Sequence, residues 1–114
     1  MIDNRKLIRT LTHVGTLLVA GRYDELARLT QCTRLTAVDM QQAIRGYRRR
    51  LVEPPDGWAA RSIVDIETAD EPAWSIYVDL WTAEEGRSDL TLELTLREAA
   101  DDMYAVEIDD IHVL

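Results

Sequence analysis

Alternation of apolar and polar residues in the second half of the chain restricts its fold more than any other feature. Two segments place their large apolar residues on even positions only: Trp74, Ile76, Val78 and Leu80, then Leu90, Leu92, Leu94 and Leu96. Successive side chains of a strand point to opposite faces of a sheet, so this period predicts two strands that each bury one face. Because the segments are close in sequence, we expect them to pair as an antiparallel hairpin.

The parity of these positions also restricts the hairpin loop. If Leu80 faces Leu90 or Leu92, the numbers of two facing residues add up to an even number. An even sum requires an odd number of residues in the loop. A five-residue loop, Ala83 to Arg87, satisfies this condition, and so does a three-residue loop with Gly86 in the left-handed region. Gly86 is the turn residue in both cases.

Two further strands are expected, from Trp58 to Glu67 and from Met103 to Val113. Within the last strand the apolar positions change parity after Ile108. An inserted residue re-aims the side chains that follow it, so the change indicates a β-bulge at Asp109-Asp110. The predicted sheet is therefore a four-stranded antiparallel meander.

Helical spacing dominates the first half of the chain. Leu7, Leu11, Val14 and Leu18 form one stripe of a first helix, expected from about Asp3 to Ala20. Gly21 is placed to end this helix, and a short second helix is expected from about Arg22 to Thr30.

A third helix is predicted from Thr36, the candidate N-cap of a capping box with Asp39, to about Arg50. Pro54-Pro55-Asp56-Gly57 then excludes helix and marks the turn into the sheet. The fold class is α+β, with three helices packed on one face of the sheet. The 114 residues fit a single domain, 1–114, with a helical part at 1–53 and a sheet part at 58–114.

Charge is divided unequally along the chain. Residues 1–50 have a balance of +6 and residues 51–114 a balance of −14, which gives the formal net charge of −8. Such asymmetry affects the choice of partner rather than the fold. It predicts a sheet that presents acidic side chains to a cationic partner.

The order of helices and strands resembles the cone-shaped NTF2-like fold. The phrase from Leu80 to Leu92, LWTAEEGRSDLTL, and the ending from Val106 to Leu114, VEIDDIHVL, resemble a family of small bacterial domains that brings no function with it. The NTF2-like resemblance implies enzymes, ligand-binding proteins and dimerisation modules alike, because one fold hosts many functions.

Residues for partner binding are expected on the hairpin tip and on the sheet face opposite the helices. Tyr77 and Trp81 share that outward face by parity, and aromatic residues beside acids are typical of contact patches. The predicted contact residues are Tyr77, Asp79, Trp81, Glu84, Glu85, Arg87, Asp89, Glu93, Asp109, Asp110 and His112. They predict a non-catalytic domain for a basic protein partner, in its most concrete form a bacterial immunity-type or adaptor protein that acts on a nuclease toxin; the same patch could form a homodimer.

The alternative interpretation is an NTF2-like small-ligand pocket or enzyme between the helices and the sheet. Its lining would be aromatic: Tyr23, Tyr47, Trp58, Trp74 and Tyr104. An open cavity of ~300 Å³ or more under the helices would favour this alternative, and a filled core would favour the partner interpretation. No catalytic residue is assigned, since neither histidine has a nucleophile nearby in the sequence.

Other classes fit the composition poorly. The two histidines, His13 and His112, show no metal-ligand spacing, so neither a metal nor another cofactor is expected. The Arg48-Arg49-Arg50 cluster is the one nucleic-acid signal, but the acidic pI near 4.6 opposes contact with phosphates. No apolar run reaches membrane-spanning length, and a single cysteine, Cys32, suits a reducing cytoplasm.

Overall fold

A computed structural model describes residues 1–31, 34–67 and 70–113. Its first helix, α1, spans Asn4–Val19 and follows the N-cap Asp3, whose carboxylate accepts the N–H groups of Arg5 and Lys6 at 2.9 and 3.2 Å. Gly21, with a φ of 72°, continues the chain past the helix end. The predicted bounds of this helix are confirmed to within one residue.

The two shorter helices are α2, Tyr23–Leu29, and α3, Ala37–Tyr47. The predicted capping box is confirmed, because Thr36 accepts the Asp39 N–H at 3.1 Å and Asp39 accepts the Thr36 N–H at 3.0 Å. The predicted end of α3 at Arg50 is wrong. Arg48 adopts a left-handed conformation with a φ of 60°, which breaks the helical path directly after Tyr47.

The sheet is antiparallel and open. Its strands are β1, Leu51–Val52; β2, Ser62–Asp65; β3, Ala73–Thr82; β4, Gly86–Arg97; and β5, Ala105–Val113. Across the sheet the strands follow the order β1-β3-β4-β5, and β2 also pairs with β3. β1 lies opposite Trp81 and Thr82, whereas β2 lies opposite residues 74–77, so β1 and β2 follow one another along the same edge of β3.

The strand predicted from Trp58 to Glu67 is shorter, since only Ser62–Asp65 pairs, and β1 is an additional strand, so the sheet has five strands rather than four. β1 also falls inside the part predicted to be helical. Residues 53–61 leave the sheet between β1 and β2, since Pro54 and Pro55 have no N–H to donate to a ladder. The excursion places Trp58 in the core, 4% exposed, against Gly15 of α1.

The β3–β4 hairpin has a three-residue loop, with Thr82 opposite Gly86 and a φ of 75° at Gly86. The even-sum register is confirmed by pairs such as Val78 with Leu92. The bulge predicted in the last strand is confirmed too, because Glu93 faces Asp110 while Leu94 faces Ile108, which leaves Asp109 unpaired in the ladder.

The helices and one face of the sheet share a single core. We call this the inner face; its buried residues on β3 and β4 include Val78, Leu80, Leu92 and Leu94, each at most 1% exposed. Met40 and Ile44 of α3 belong to the same cluster. None of the helices among the described residues has the length and apolar content needed to cross a membrane.

Candidate functional site

The face of the sheet opposite the core, which we call the outer face, carries most of the predicted contact residues. Its β3 side chains are Ser75, Tyr77, Asp79 and Trp81, and all four are partly exposed. They alternate with fully buried neighbours because a strand sends every second side chain to the opposite face. The expectation that Tyr77 and Trp81 share an outward face agrees with this arrangement.

Asp79 lies at the centre of an ionic network on this face. Arg61 Nε donates to Asp79 Oδ1 at 2.7 Å, and Arg87 Nη1 lies 3.6 Å from Asp79 Oδ2. The Arg61 guanidinium also lies 5.8 Å from the centre of the Tyr77 ring, within the range of a cation–π contact. These arginines neutralise Asp79, so this acid is paired within the protein.

Two shallow cavities border this network. One, of about 220 Å³, is lined by Arg61, Asp79, Arg87, Ser88, Asp89 and Thr91. The other, of about 280 Å³, lies between Trp81 and the 54–61 segment and shares Arg61, Asp79 and Arg87 with the first. Together they form an open groove with charged side chains at its centre and a mostly apolar wall that includes Trp58, Ala60 and Trp81.

A second cluster lies on the neighbouring strands. His112 Nε2 is 3.0 Å from Glu93 Oε2 and 3.9 Å from Asp110 Oδ2. One ligand atom from each of these three residues lies within 4.8 Å of the others. One imidazole and two carboxylates could hold a divalent cation with water at the remaining positions. The bulge at Asp109 brings these residues together, because it places the side chains of Asp110 and His112 on the face that carries Glu93.

Asp109 itself is held between two elements. It accepts the hydroxyl of Thr95 at 2.7 Å and lies 3.3 Å from Arg34 Nε, which belongs to the segment between α2 and α3. Burial raises the pKa of Asp109, while the Thr95 hydrogen bond and the Arg34 charge oppose that rise. Its carboxylate is 15% exposed, so little of it is available to a partner.

The acids of the hairpin tip turn toward the helical part. Glu84 Oε1 accepts the Arg50 N–H at 3.0 Å, and Glu85 Oε2 accepts the Tyr47 hydroxyl at 3.1 Å. The hydrogen bond from Arg50, assisted by the charges of Arg49 and Arg50, lowers the pKa of Glu84. Glu84 and Glu85 therefore join the hairpin tip to the end of α3. They do not belong to the cluster that contains Asp110 and His112.

The five aromatic residues of the alternative pocket do not line one common space. Trp74 and Tyr104 pack edge to face with ring centres 5.2 Å apart, and the Tyr104 hydroxyl accepts the Asp3 N–H at 2.8 Å. Trp58 fills the space above Gly15. Tyr47 donates to the hairpin tip. Tyr23 borders a cavity of about 340 Å³ that opens at the surface between the helices and β1, Trp58 borders the cavity beside Trp81, and Trp74 borders a separate surface cavity of about 240 Å³. These contacts do not form one aromatic pocket.

Several residues of these networks were not predicted from the sequence. Arg61 and Arg34 come from irregular segments, and the register of β2 against β3 carries no turn motif that would place Arg61 beside Asp79. Thr95 could have been placed by parity, because it shares the outward positions of β4 with Glu93. Cys32, which we associated with a reducing compartment, lies outside the described residues.

A family model described as a domain of unknown function, DUF7668, matches residues 16–114. No curated protein and no solved structure matches the chain. The matched range contains α2, α3 and all five strands, and it therefore includes the whole outer face.

Proposed function

The chain belongs to the DUF7668 family of domains of unknown function, and we propose that it is a non-catalytic binding domain whose outer face contacts a basic protein partner. In its most concrete form it is a cytoplasmic bacterial immunity-type or adaptor protein, with a nuclease toxin as one kind of partner. The NTF2-like layout remains part of this proposal.

One observation carries the proposal: the helices cover the inner face of the sheet, and Tyr77 and Trp81 stay partly exposed on the outer face, although Thr91 and Thr95 of that face are buried. Tyrosine and tryptophan contribute a large share of binding energy when a partner buries them. They stand beside polar groups that can form the rim of an interface. This combination is typical of a protein contact.

The charge of the outer face supports a basic partner, but through fewer residues than the sequence indicated. Asp79, Asp109 and Glu107 already have arginine partners. Asp89 and Asp110 are exposed and, in the described part of the chain, have no lysine or arginine within 4.0 Å. We infer that these two acids, with the net charge of −8, guide the encounter, while Tyr77 and Trp81 supply the affinity.

A homodimer through the same face is a special case of this proposal, with a second copy as the partner. Val64 of β2 lies beside Ser75 on the outer side and is 57% exposed, which extends the apolar part of the patch to the edge of the sheet. A two-fold contact would cover the patch on both copies.

The alternative, an NTF2-like ligand-binding protein or enzyme, receives less support. Trp58, Trp74 and Tyr104 are at most 4% exposed and pack against protein atoms. Trp58 and Trp74 border separate surface cavities of about 280 and 240 Å³ rather than one pocket. The cavity of about 340 Å³ beside Tyr23 is the observation that favours this alternative.

The experiment measures binding to the products of the neighbouring genes, each co-expressed and then titrated against the purified chain. Tyr77→Ser with Trp81→Thr should reduce affinity by about 100-fold or more, since buried aromatic anchors each contribute about 2 kcal/mol or more. Val38→Ser removes an apolar side chain that is 58% exposed on α3, and this control should leave binding unchanged. Equal binding by the wild type and the double variant would show that the outer face is not the contact surface.

A further inference from the structure

Outside the outer face, the cavity beside Tyr23 has an unusual concentration of positive charge. We call it the basic groove. It encloses about 340 Å³ and is bordered by Arg45, Arg48, Arg49 and Arg50, with Tyr23 on one wall. Its floor includes the buried side chains of Leu18 and Ile44. The groove combines an apolar base with a cationic rim.

The guanidinium groups of the four arginines form no ion pair among the described residues, although the charges of Arg49 and Arg50 act on nearby Glu84. Throughout residues 1–31, 34–67 and 70–113, no carboxylate lies within 4.0 Å of their guanidinium groups, whereas Arg34, Arg61 and Arg97 all pair with acids. This is unexpected in a chain with a net charge of −8. Clustered like charges repel one another, and a bound anion would relieve the repulsion.

The backbone at Arg48 adds a second observation. Its φ of 60° places a residue with a Cβ in the left-handed region, at a cost of about 1–2 kcal/mol that glycine would not have. Residues held in such conformations are concentrated at ligand sites and switches. Here the turn at Arg48 ends α3 and leaves three consecutive arginines at the mouth of the groove.

We propose that the basic groove binds a small phosphate ester that carries an aromatic ring, the chemistry of a nucleoside monophosphate. Guanidinium groups match the geometry of phosphate oxygens in bidentate pairs. The wall of Tyr23 and the apolar floor offer a surface for a planar ring, and the volume lies within the range of small-molecule sites.

The surroundings of the basic groove favour a short ligand over a nucleic-acid strand. Glu84 accepts the N–H of Arg50, which borders the groove, and Asp24 directly follows Tyr23 in the chain. A polyanion that continued past the groove would meet these carboxylates. The site is separate from the outer face, so this inference does not depend on the proposed protein partner.

The test is a calorimetric titration of the whole chain with adenosine and guanosine 5′-monophosphates, the corresponding nucleosides and inorganic phosphate. Saturable binding of a nucleotide, with weaker binding of phosphate and of the nucleoside, is the expected result. Arg45→Gln with Arg48→Gly should weaken nucleotide binding about 100-fold or more, because each lost charge-assisted hydrogen bond to the phosphate reduces the affinity about tenfold or more. Glycine at position 48 suits the left-handed backbone, so the variant should remain folded.

The matched control is Arg5→Gln with Arg28→Gln, which removes the same charge from exposed positions that do not line the groove. An equal loss of affinity in this control would mean that only net charge attracts the nucleotide, and the proposal would be wrong. Absence of nucleotide binding at millimolar concentration would also overturn it. Tighter binding of a tetraglutamate peptide or of an oligonucleotide would assign the groove to that ligand instead.

Discussion

The inner and outer faces of β3 and β4 alternate residue by residue, yet they are stabilised in different ways. Val78 and Leu92 on the inner face are at most 1% exposed and gain free energy through buried area, which has no preferred direction. Asp79 and Glu93 on the outer face instead form directed contacts with a few charged or polar side chains: Arg61 and Arg87 for Asp79, and His112 for Glu93. Stability therefore resides mainly on one face and specificity on the other.

This difference separates the effects of substitutions. Removing an inner side chain leaves a cavity that the core cannot fill, whereas an outer side chain leaves a position that water can occupy. The predictions below test the division, from the largest expected effect to the smallest.

Leu94→Ala should produce the largest loss of stability. Leu94 is 0% exposed, and truncation of such a residue costs about 2–5 kcal/mol in the free energy of unfolding. Its neighbour Glu93 points to the outer face, so Glu93→Ala should cost about 1 kcal/mol or less. Urea denaturation of both variants measures the contrast; similar losses would show that the two faces do not divide stability in this way.

Ile44→Ala tests whether α3 belongs to the inner face. Ile44 shares the core cluster with Val78, Leu92 and Leu94, so its truncation should cost about 2–4 kcal/mol. An unchanged denaturation midpoint would contradict the placement of α3 against the sheet. Val38→Ala, on an exposed position of the same helix, is the control that should change little.

Tyr77→Ser with Trp81→Thr should cost about 1–2 kcal/mol, because both side chains are only half-buried. Its larger effect should be on assembly. If the outer face joins two copies, the wild type sediments as a dimer and the variant as a stable monomer. A wild type that remains monomeric at high micromolar concentration would remove the homodimer and leave the face for another protein.

The inner face could be predicted from the sequence because burial leaves a periodic pattern. The even positions of β3 and β4, the odd hairpin loop at Gly86 and the bulge at Asp109 all follow from that period. The broken edge strand could not be predicted in the same way. Trp58 was assigned to a strand, although it fills a place in the core from an irregular segment.

The outer face was harder to predict, because its contacts connect residues that follow no regular spacing in the sequence. Parity placed Tyr77, Asp79 and Trp81 on one side, but charge counting overstated how acidic that side is. Arg34 comes from the basic half of the chain and reaches Asp109 in the acidic half. Separation of charge along the sequence is therefore not separation in space.

Asp89→Lys with Asp110→Lys should change stability by about 0.5 kcal/mol or less, as these acids are exposed. The same change should slow association with a basic partner and reduce its salt dependence. A bound ion would stabilise the folded state and raise its melting temperature. Because we expect no metal site, calcium, magnesium and zinc should leave the melting temperature of the wild type unchanged. A rise of several degrees with zinc, lost in the variant, would instead identify Glu93, Asp110 and His112 as a metal site.

The smallest expected effect concerns Asp109, the one outer-face acid whose burial raises its pKa above the ordinary value of 3.8. In the interval between that value and the raised pKa, the folded state binds more protons than the unfolded state, so stability decreases as pH rises through it. The loss of stability that burial of the charged Asp109 carboxylate causes is fully present at neutral pH. Asp109→Asn removes it, and the variant should therefore gain stability relative to the wild type between about pH 4 and about pH 7.

Glu98 provides a control of opposite sign, since its hydrogen bond from Lys6 lowers its pKa below the ordinary value of 4.5. The stability that Glu98 contributes is present above that value and is lost as pH falls through the lowered pKa. Glu98→Gln should thus lose stability relative to the wild type as pH rises from the lowered pKa to 4.5, whereas Asp109→Asn gains it as pH rises from 3.8 to the raised pKa. Urea denaturation at a series of pH values that covers both intervals measures the two differences. Changes of the same sign would mean that water solvates the Asp109 carboxylate as it does an exposed acid, and that the bulge does not bury this side chain.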